Sequence, residues 1–318
     1  MSHACAKDQG PERPRSTILL VIDGLSYKAP ERLELPTLER LMDQGSYFKE
    51  CYFLPTAHPR KWLHTCSLGN AATVTGTIFF RQGQEQLQRM FAGRGVRAHA
   101  AGGSGAYLSI SVDYDFVNIG SYNDDQVMNN ALVFVRNPDL VFLRIHLQDL
   151  GGAGSRVRGR LPSIWMEGSE YPEVARHADE LVAKLVGELR RTERWSDTLL
   201  VVAADHGQAD TGWHPPFVEE SWRAPLILTG PGVKKGQTFP YAEIIDLAPT
   251  ICHLMDVPAP ADSIGVVLNE SLVRPEEKLE ERRATLRDLD QIMKKYVDIR
   301  EQLDTELERL KGRPERKK

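Results

Sequence analysis

One stretch constrains this chain more than any other. It is the apolar run Leu199-Leu200-Val201-Val202-Ala203-Ala204, which stops on Asp205-His206-Gly207, with His214 eight residues past His206. A short, partly β-branched run predicts a strand buried on both faces. A carboxylate and an imidazole at the end of such a strand are costly to desolvate without a partner, and a metal ion would serve as one. A helix-capping aspartate followed by a satisfied loop histidine is the plainer alternative.

The same pattern recurs. Thr17 to Ile22 is a buried-strand run ending in Asp23-Gly24, and Leu140 to Ile145 is another, leaving through His146-Leu147-Gln148-Asp149. Tyr47 to Leu54, Val96 to Ala101 and Leu226 to Leu228 also read as strands. Helices are expected over Pro36 to Met42, Cys66 to Thr75, Gln84 to Ala92, Asp124 to Arg136, Pro172 to Arg191 and, from about Ala248, to Met255. Gly151 to Gly159 reads as a flexible stretch, and Ala101 to Gly105 as a loop without dinucleotide or P-loop spacing. Alternating strands and helices predict an α/β fold: a mostly parallel sheet with helices on both faces. Sites in such sheets collect at the carboxyl ends of the strands. Asp23, Asp149 and Asp205-His206 all fall just past strand ends.

Length and charge set outer bounds. The 318 residues allow one large α/β domain or two smaller ones, and a net charge of −4 gives nothing global that points to nucleic acid. Cys5, Cys51, Cys66 and Cys252 form no CxxC pair, which predicts free thiols in a reducing cytoplasm. Residues 1–15 are polar, lack the apolar core of a signal peptide and read as disordered. No apolar run approaches the ~20 residues a bilayer requires, so no membrane partner is expected. Residues 16–272 read as the α/β domain and 273–318 as a C-terminal helix with a basic end. In that tail Leu279, Leu286, Leu289, Met293, Tyr296, Leu303, Leu307 and Leu310 follow an alternating three/four spacing. The stripe predicts homo-oligomerisation through a coiled coil, or docking on the chain's own domain.

Six motifs in order carry a resemblance. Ile22-Asp23-Gly24, Pro36-Thr37-Leu38-Glu39-Arg40-Leu41, Ala72-Thr73-Val74-Thr75-Gly76, Asp205-His206-Gly207, Ala224-Pro225-Leu226-Ile227 with Gly230-Pro231-Gly232, and Ile245-Asp246-Leu247-Ala248-Pro249-Thr250 resemble the alkaline phosphatase superfamily, in its phosphodiesterase, sulfatase and phosphomutase branches. The resemblance implies an alkaline-phosphatase-like fold and a metal-dependent hydrolase or transferase of phosphate or sulfate esters, of the EC 3.1 class. It implies a nucleophile at a helix N-terminus, where anions are stabilised, beside a metal that lowers its pKa. Asp23, Asp205 and His206 match the ligands of one metal, and His214 matches the imidazole of a second. The mixed oxygen and nitrogen set suits zinc or manganese better than calcium.

Counting back from Gly76, the nucleophile falls on Cys66 or Ser67, with Asn70 at the phosphodiesterase offset. The sequence after Cys66 lacks the residues that sulfatases need for conversion to formylglycine. The chain departs from the pattern after the Leu140 strand. Aligned on Gly154, the family's second-metal aspartate and histidine fall on Gly151 and Ser155, leaving His214 and Asp149 for that ion. Arg156, Arg158 and Arg160 stand in that loop instead. We therefore expect one metal, with Arg156 and Arg158 binding the substrate oxyanion bidentately, or else a solvated loop. The substrate is read as a small phosphate ester, with sulfate and phosphonate esters as variants. The competing reading is a degenerate member acting as a binding scaffold; an unrelated α/β enzyme is the third. Trp62, Tyr107, Tyr114 and Trp165 are candidates to stack on a ring or to pack.

Overall fold

Seven consecutive buried residues, Ser16–Ile22, form β1, and the sheet is built outward from them. The computed structural model describes residues 13–53, 69–77, 83–102, 110–215 and 218–275. After β1 come α1 (Ala29–Arg32), α2 (Pro36–Gln44), β2 (Ser46–Tyr52), α3 (Gly69–Thr75), β3 (Val96–Gly102), β4 (Phe116–Gly120), α4 (Asp124–Val135), β5 (Leu140–Leu147) and α5 (Asp149–Val157). Then follow α6 (Tyr171–Arg191), β6 (Thr198–Ala203), β7 (Arg223–Thr229), β8 (Gln237–Phe239), β9 (Ala242–Glu243) and α7 (Leu247–Met255).

The strand order is β4-β3-β5-β1-β6-β7-β2-β8, with β9 also paired to β2. β1 lies between β5 and β6, parallel to both, and Val21 is level with His146 on one side and Ala203 on the other. Every residue of β1, β5 and β6 is buried, as expected of central strands covered on both faces. Among the described strands β7 alone runs against its neighbours. The fold is thus the expected mostly parallel α/β sheet.

The helices are fixed to each other by carboxylates. Asp179, buried on α6, accepts from the Thr37 and Leu38 backbone N–H groups at the start of α2, at 2.8–3.1 Å. These are two of the donors that a helix start leaves without partners. Asp124 and Asp149 do the same for α4 and α5 reciprocally. Asp124 accepts from Gln148 and Asp149 N–H at 2.6 and 3.1 Å, and Asp149 accepts from Asp124 N–H at 3.0 Å.

Several expectations need correction. Gly151 to Gly159 is not a flexible stretch: most of it lies in α5, which buries Leu150, Ala153 and Val157. Glycine lowers helix propensity by about 1 kcal/mol per residue, but here tertiary contact decides. A Cβ on Gly151 would lie 2.0 Å from Asp23 Oδ1, and one on Gly154 2.5 Å from Gln208 Nε2. Only a bare backbone lets α5 approach the end of β1 so closely. Gln84 to Ala92 holds a single 3-10 turn, Leu87–Phe91. Leu226 to Leu228 is the middle of the longer, antiparallel β7. β4, an edge strand that is half exposed, lacks the apolar run that marks a central strand in sequence. No described helix is long and apolar enough to cross a membrane. The tail stripe lies outside the described residues.

Replacing Asp179 with alanine strips two buried N–H groups of a charged acceptor. It should cost about 2–3 kcal/mol, read by urea unfolding with an unchanged m-value. A loss under about 0.5 kcal/mol would contradict this role.

Candidate metal centre

Three adjacent strands deliver the centre. β1 ends one residue before Asp23, β6 ends two residues before Asp205, and His146 is the penultimate residue of β5. Neighbouring strands lie about 4.8 Å apart, and His146, level with Val21, is set two residues back from Asp23 and so on the same side of the sheet, which lets the side chains converge. One donor atom each from Asp23, His146 and Asp205 lies within 4.8 Å of the others. Asp205 is bracketed by imidazoles: its Oδ2 is 3.7 Å from His146 Nε2 and its Oδ1 is 3.6 Å from His206 Nε2. His206 Nε2 also lies 3.3 Å from Asp23 Oδ1.

The backbone enforces this arrangement. Gly24 turns the chain at φ +65°, and its N–H donates to Asp205 Oδ1 at 3.3 Å. The buried Tyr171 hydroxyl donates to Gly24 O at 2.7 Å and accepts from Ser26 N–H at 2.9 Å. This clasp from α6 holds the turn that carries Asp23. The Nδ1 of His206 lies 2.8 Å from Gly207 O. Donating there directs the Nε2 lone pair at the carboxylates, the tautomer a metal ligand requires.

Charge is out of balance without a cation. Burial, then repulsion from Asp23, pushes Asp205 up to about 6. Burial lowers the pKa of His206, but Asp205 and Asp23 more than offset this and raise it to about 9. Burial, then the Arg144 guanidinium, holds His146 well below the ordinary imidazole value, so it stays neutral. Two carboxylates, one neutral imidazole and one that must surrender a proton make a donor set that fits a divalent ion.

The structure brings together Asp23, Asp205 and His206 from the sequence-derived set and adds His146, which sequence reasoning passed over. The signal is an imidazole at the end of a buried strand run, three residues before Asp149. His214 is placed by stacking. Its ring lies 3.6 Å from that of His206 at 15°, and Trp213 packs on it at 4.9 Å. Burial, then repulsion from His206, pushes His214 down to about 2. Arg158 caps this stack 5.7 Å over Trp213. Asp149, a possible ligand from sequence, accepts from the Asp124 N–H through Oδ2 and so caps α4.

Arg156 pairs through two nitrogens with Glu170 on the surface, at 3.0 and 2.8 Å. Its charge is directed there rather than to the centre. Ser155 Oγ donates back to Gly151 O at 2.8 Å. Trp165 and Tyr114 serve in packing: Trp165 against Tyr171 with Nε1 donating to Asp210, Tyr114 against His99 and Phe142. Cys66, Ser67, Trp62 and Tyr107 lie outside the described residues; Asn70 is in the first turn of α3.

Comparison with known proteins agrees with the geometry. The sulfatase family model matches residues 168–257, the segment that contributes Asp205, His206 and His214. A choline-sulfatase of Rhizobium meliloti is 33% identical over 103 residues, covering 31% of this chain and 18% of that protein. The catalytic subunit of human GPI ethanolamine phosphate transferase 3 is 36% identical over 107 residues, covering 32% of this chain and 10% of that one. The chain therefore spans less than a fifth of the length of these two relatives. Among solved structures, a phosphonate monoester hydrolase from Silicibacter pomeroyi superposes with a TM-score of 0.61 at 16% identity, covering 83% of this chain and 78% of that one. The resemblance to the alkaline phosphatase superfamily holds: the fold is shared, and the sulfatase-matched segment carries Asp205 and His206, with Asp23 and His146 outside it.

Two outcomes follow from this geometry. His206 carries a proton below its raised pKa, so cation binding must expel it. Affinity for Mn²⁺ or Zn²⁺ should fall by about tenfold per pH unit as pH drops from about 9 to about 6, and more steeply below, where Asp205 also protonates. Calorimetric titration across that interval reads the slope, and a flat profile would contradict the site. Tyr171→Phe should weaken cation affinity by about 10- to 100-fold through loss of the clasp. Unaltered affinity would mean that the turn holds itself.

Proposed function

We propose that the chain is a hydrolase or transferase of phosphate or sulfate esters that works with one divalent cation. The convergence of Asp23, His146 and Asp205 from three neighbouring strands carries this reading. A cation held by these residues and His206 would polarise the ester oxygen and lower the pKa of the nucleophile.

The chain's own residues supply the rest. Cys66 or Ser67, a few residues before α3, is the proposed nucleophile, with Asn70 on the first turn. The buried Arg144 Nη1 donates to Thr73 Oγ1 at 2.8 Å. Arg144 is two residues from His146 on β5, so this bond ties the nucleophile's helix to the strand that carries a ligand. Misplacement by about 1 Å can cost about 100-fold in rate, which is the penalty such a tether prevents.

One cation rather than two is supported by α5. Gly151 packs its bare Cα side against Asp23, where a longer side chain has no room. Ser155 is turned into its own helix, and Asp149 caps another. Of the two loop arginines, Arg156 is paired with Glu170, whereas Arg158 lies over Trp213, which packs on His214, and is the one proposed to act on a substrate oxyanion. Zinc or manganese is the proposed ion, the cytoplasm the proposed location, and a homo-oligomer through the tail the proposed assembly.

Hydrolysis of p-nitrophenyl phosphate, bis-p-nitrophenyl phosphate and p-nitrophenyl sulfate, each with Zn²⁺ or Mn²⁺, tests the reading. At least one ester should be turned over with added cation. Asp205→Ala and one of Cys66→Ala or Ser67→Ala should each lower the rate by at least about 100-fold. No turnover of any ester with either ion would favour a binding scaffold instead.

A further inference from the structure

The end of the sheet opposite the metal centre holds a cavity of about 1340 Å³. It opens where β1 and β6 begin and β7 ends, and Arg13, Ser196 and Thr229 mark those points on its wall. Its other cations are Arg190, Lys235 and Arg274, and no Asp or Glu lines it among the described residues. Arg13 is held by Asp256 at 2.6 Å, and Arg190 lies 5.3 Å over the Trp195 ring. The wall also has an apolar side: Val273, 61% exposed, belongs to it with Leu254 and Val233. A wall of cations beside apolar surface fits an acidic segment that carries a large aliphatic side chain.

The chain supplies such a segment at that point. Pro275 is itself part of the wall, and the next residue begins within about 3.8 Å of it, Cα to Cα. Residues 276–281 read Glu-Glu-Lys-Leu-Glu-Glu: four acids, one base and Leu279. Extended, six residues reach about 20 Å. A tether this short gives an effective concentration in the millimolar range, well above any free acidic peptide. Residues 1–12 also adjoin the cavity through Arg13, but they carry only Asp8 and Glu12 against Lys7, a weaker complement to the wall.

We propose that this basic cavity seats the chain's own segment 276–281, with its glutamates against Arg190, Lys235 and Arg274 and Leu279 against Val273 and Leu254. The stripe that follows is then anchored at the base of the sheet, and the strand ends that carry Asp23 and Asp205 stay open to substrate. The proposal is independent of the metal centre and of any activity.

Hydrogen exchange by mass spectrometry on the full chain tests it. In the unaltered protein the amides of 276–281 should exchange at least about tenfold more slowly than an unstructured segment. Arg190→Glu with Lys235→Glu should remove that protection, as should Glu276→Lys with Glu277→Lys, two changes in the segment itself. Combining all four should restore it. Rising salt should erode protection in the unaltered chain. Exchange at the unstructured rate in the unaltered protein would overturn the proposal, and so would protection that survives both reversals. If Arg190→Glu with Lys235→Glu instead exposes residues 1–12, the amino terminus is the occupant and the proposal fails. Should those two changes also loosen peptides of β1 or β5, the tail variant alone decides.

Discussion

Two carboxylates that repel each other are held together at the carboxyl ends of buried strands. Asp23 and Asp205 share one imidazole, that of His206, within 3.6 Å. Left alone, such a pair favours splaying apart or taking up protons. The fold does not let it splay. Gly24 presents its N–H to Asp205, and Tyr171 clasps the turn between β1 and α1. α5 closes over Asp23 with a glycine. The remaining relief is a positive charge placed among the carboxylates: the His206 proton or a divalent ion.

Surrounding elements make sense as supports for that point. α5 pays for its glycines in helix propensity and gains an approach to Asp23 that no other residue allows. Asp124 and Asp149 stitch the starts of α4 and α5 together, which fixes where α5 begins relative to β5 and its histidine. On the far side His206 is backed by His214, Trp213 and Arg158 in one stack. The stack limits rotation of the His206 ring, whose Nε2 must stay aimed at the carboxylates. Arg144, two residues along β5 from His146, carries the order outward to α3.

The fold was legible where burial leaves a simple pattern. β1, β5 and β6 are mostly apolar because both their faces are covered, with the buried Arg144 an exception inside β5, and the acid or imidazole at the end of each strand marks where the chain meets the site. Legibility failed where contact overrides pattern. Gly151 and Gly154 look like a hinge because propensity is a local quantity, whereas the reason for them lies in Asp23 and Gln208, which are far away in sequence. In sequence His146 looks like no more than a strand exit, because one line of sequence does not say which strand lies beside which. Only the order β5-β1-β6 puts it level with Val21, next to Asp23. Asp149 sits at the right end of the right strand, and its Oδ2 caps another helix start. An acid in position to ligate and an acid in position to cap read alike in sequence.

A cation at the meeting of three strands is what anomalous diffraction from crystals soaked in manganese or zinc would reveal most directly. A single peak is expected about 2.0–2.2 Å from oxygens of Asp23 and Asp205 and from Nε2 of His206, with His146 closing the shell. An absent peak, with the imidazole of His206 instead hydrogen-bonded between the two carboxylates at saturating ion, would contradict a cation there.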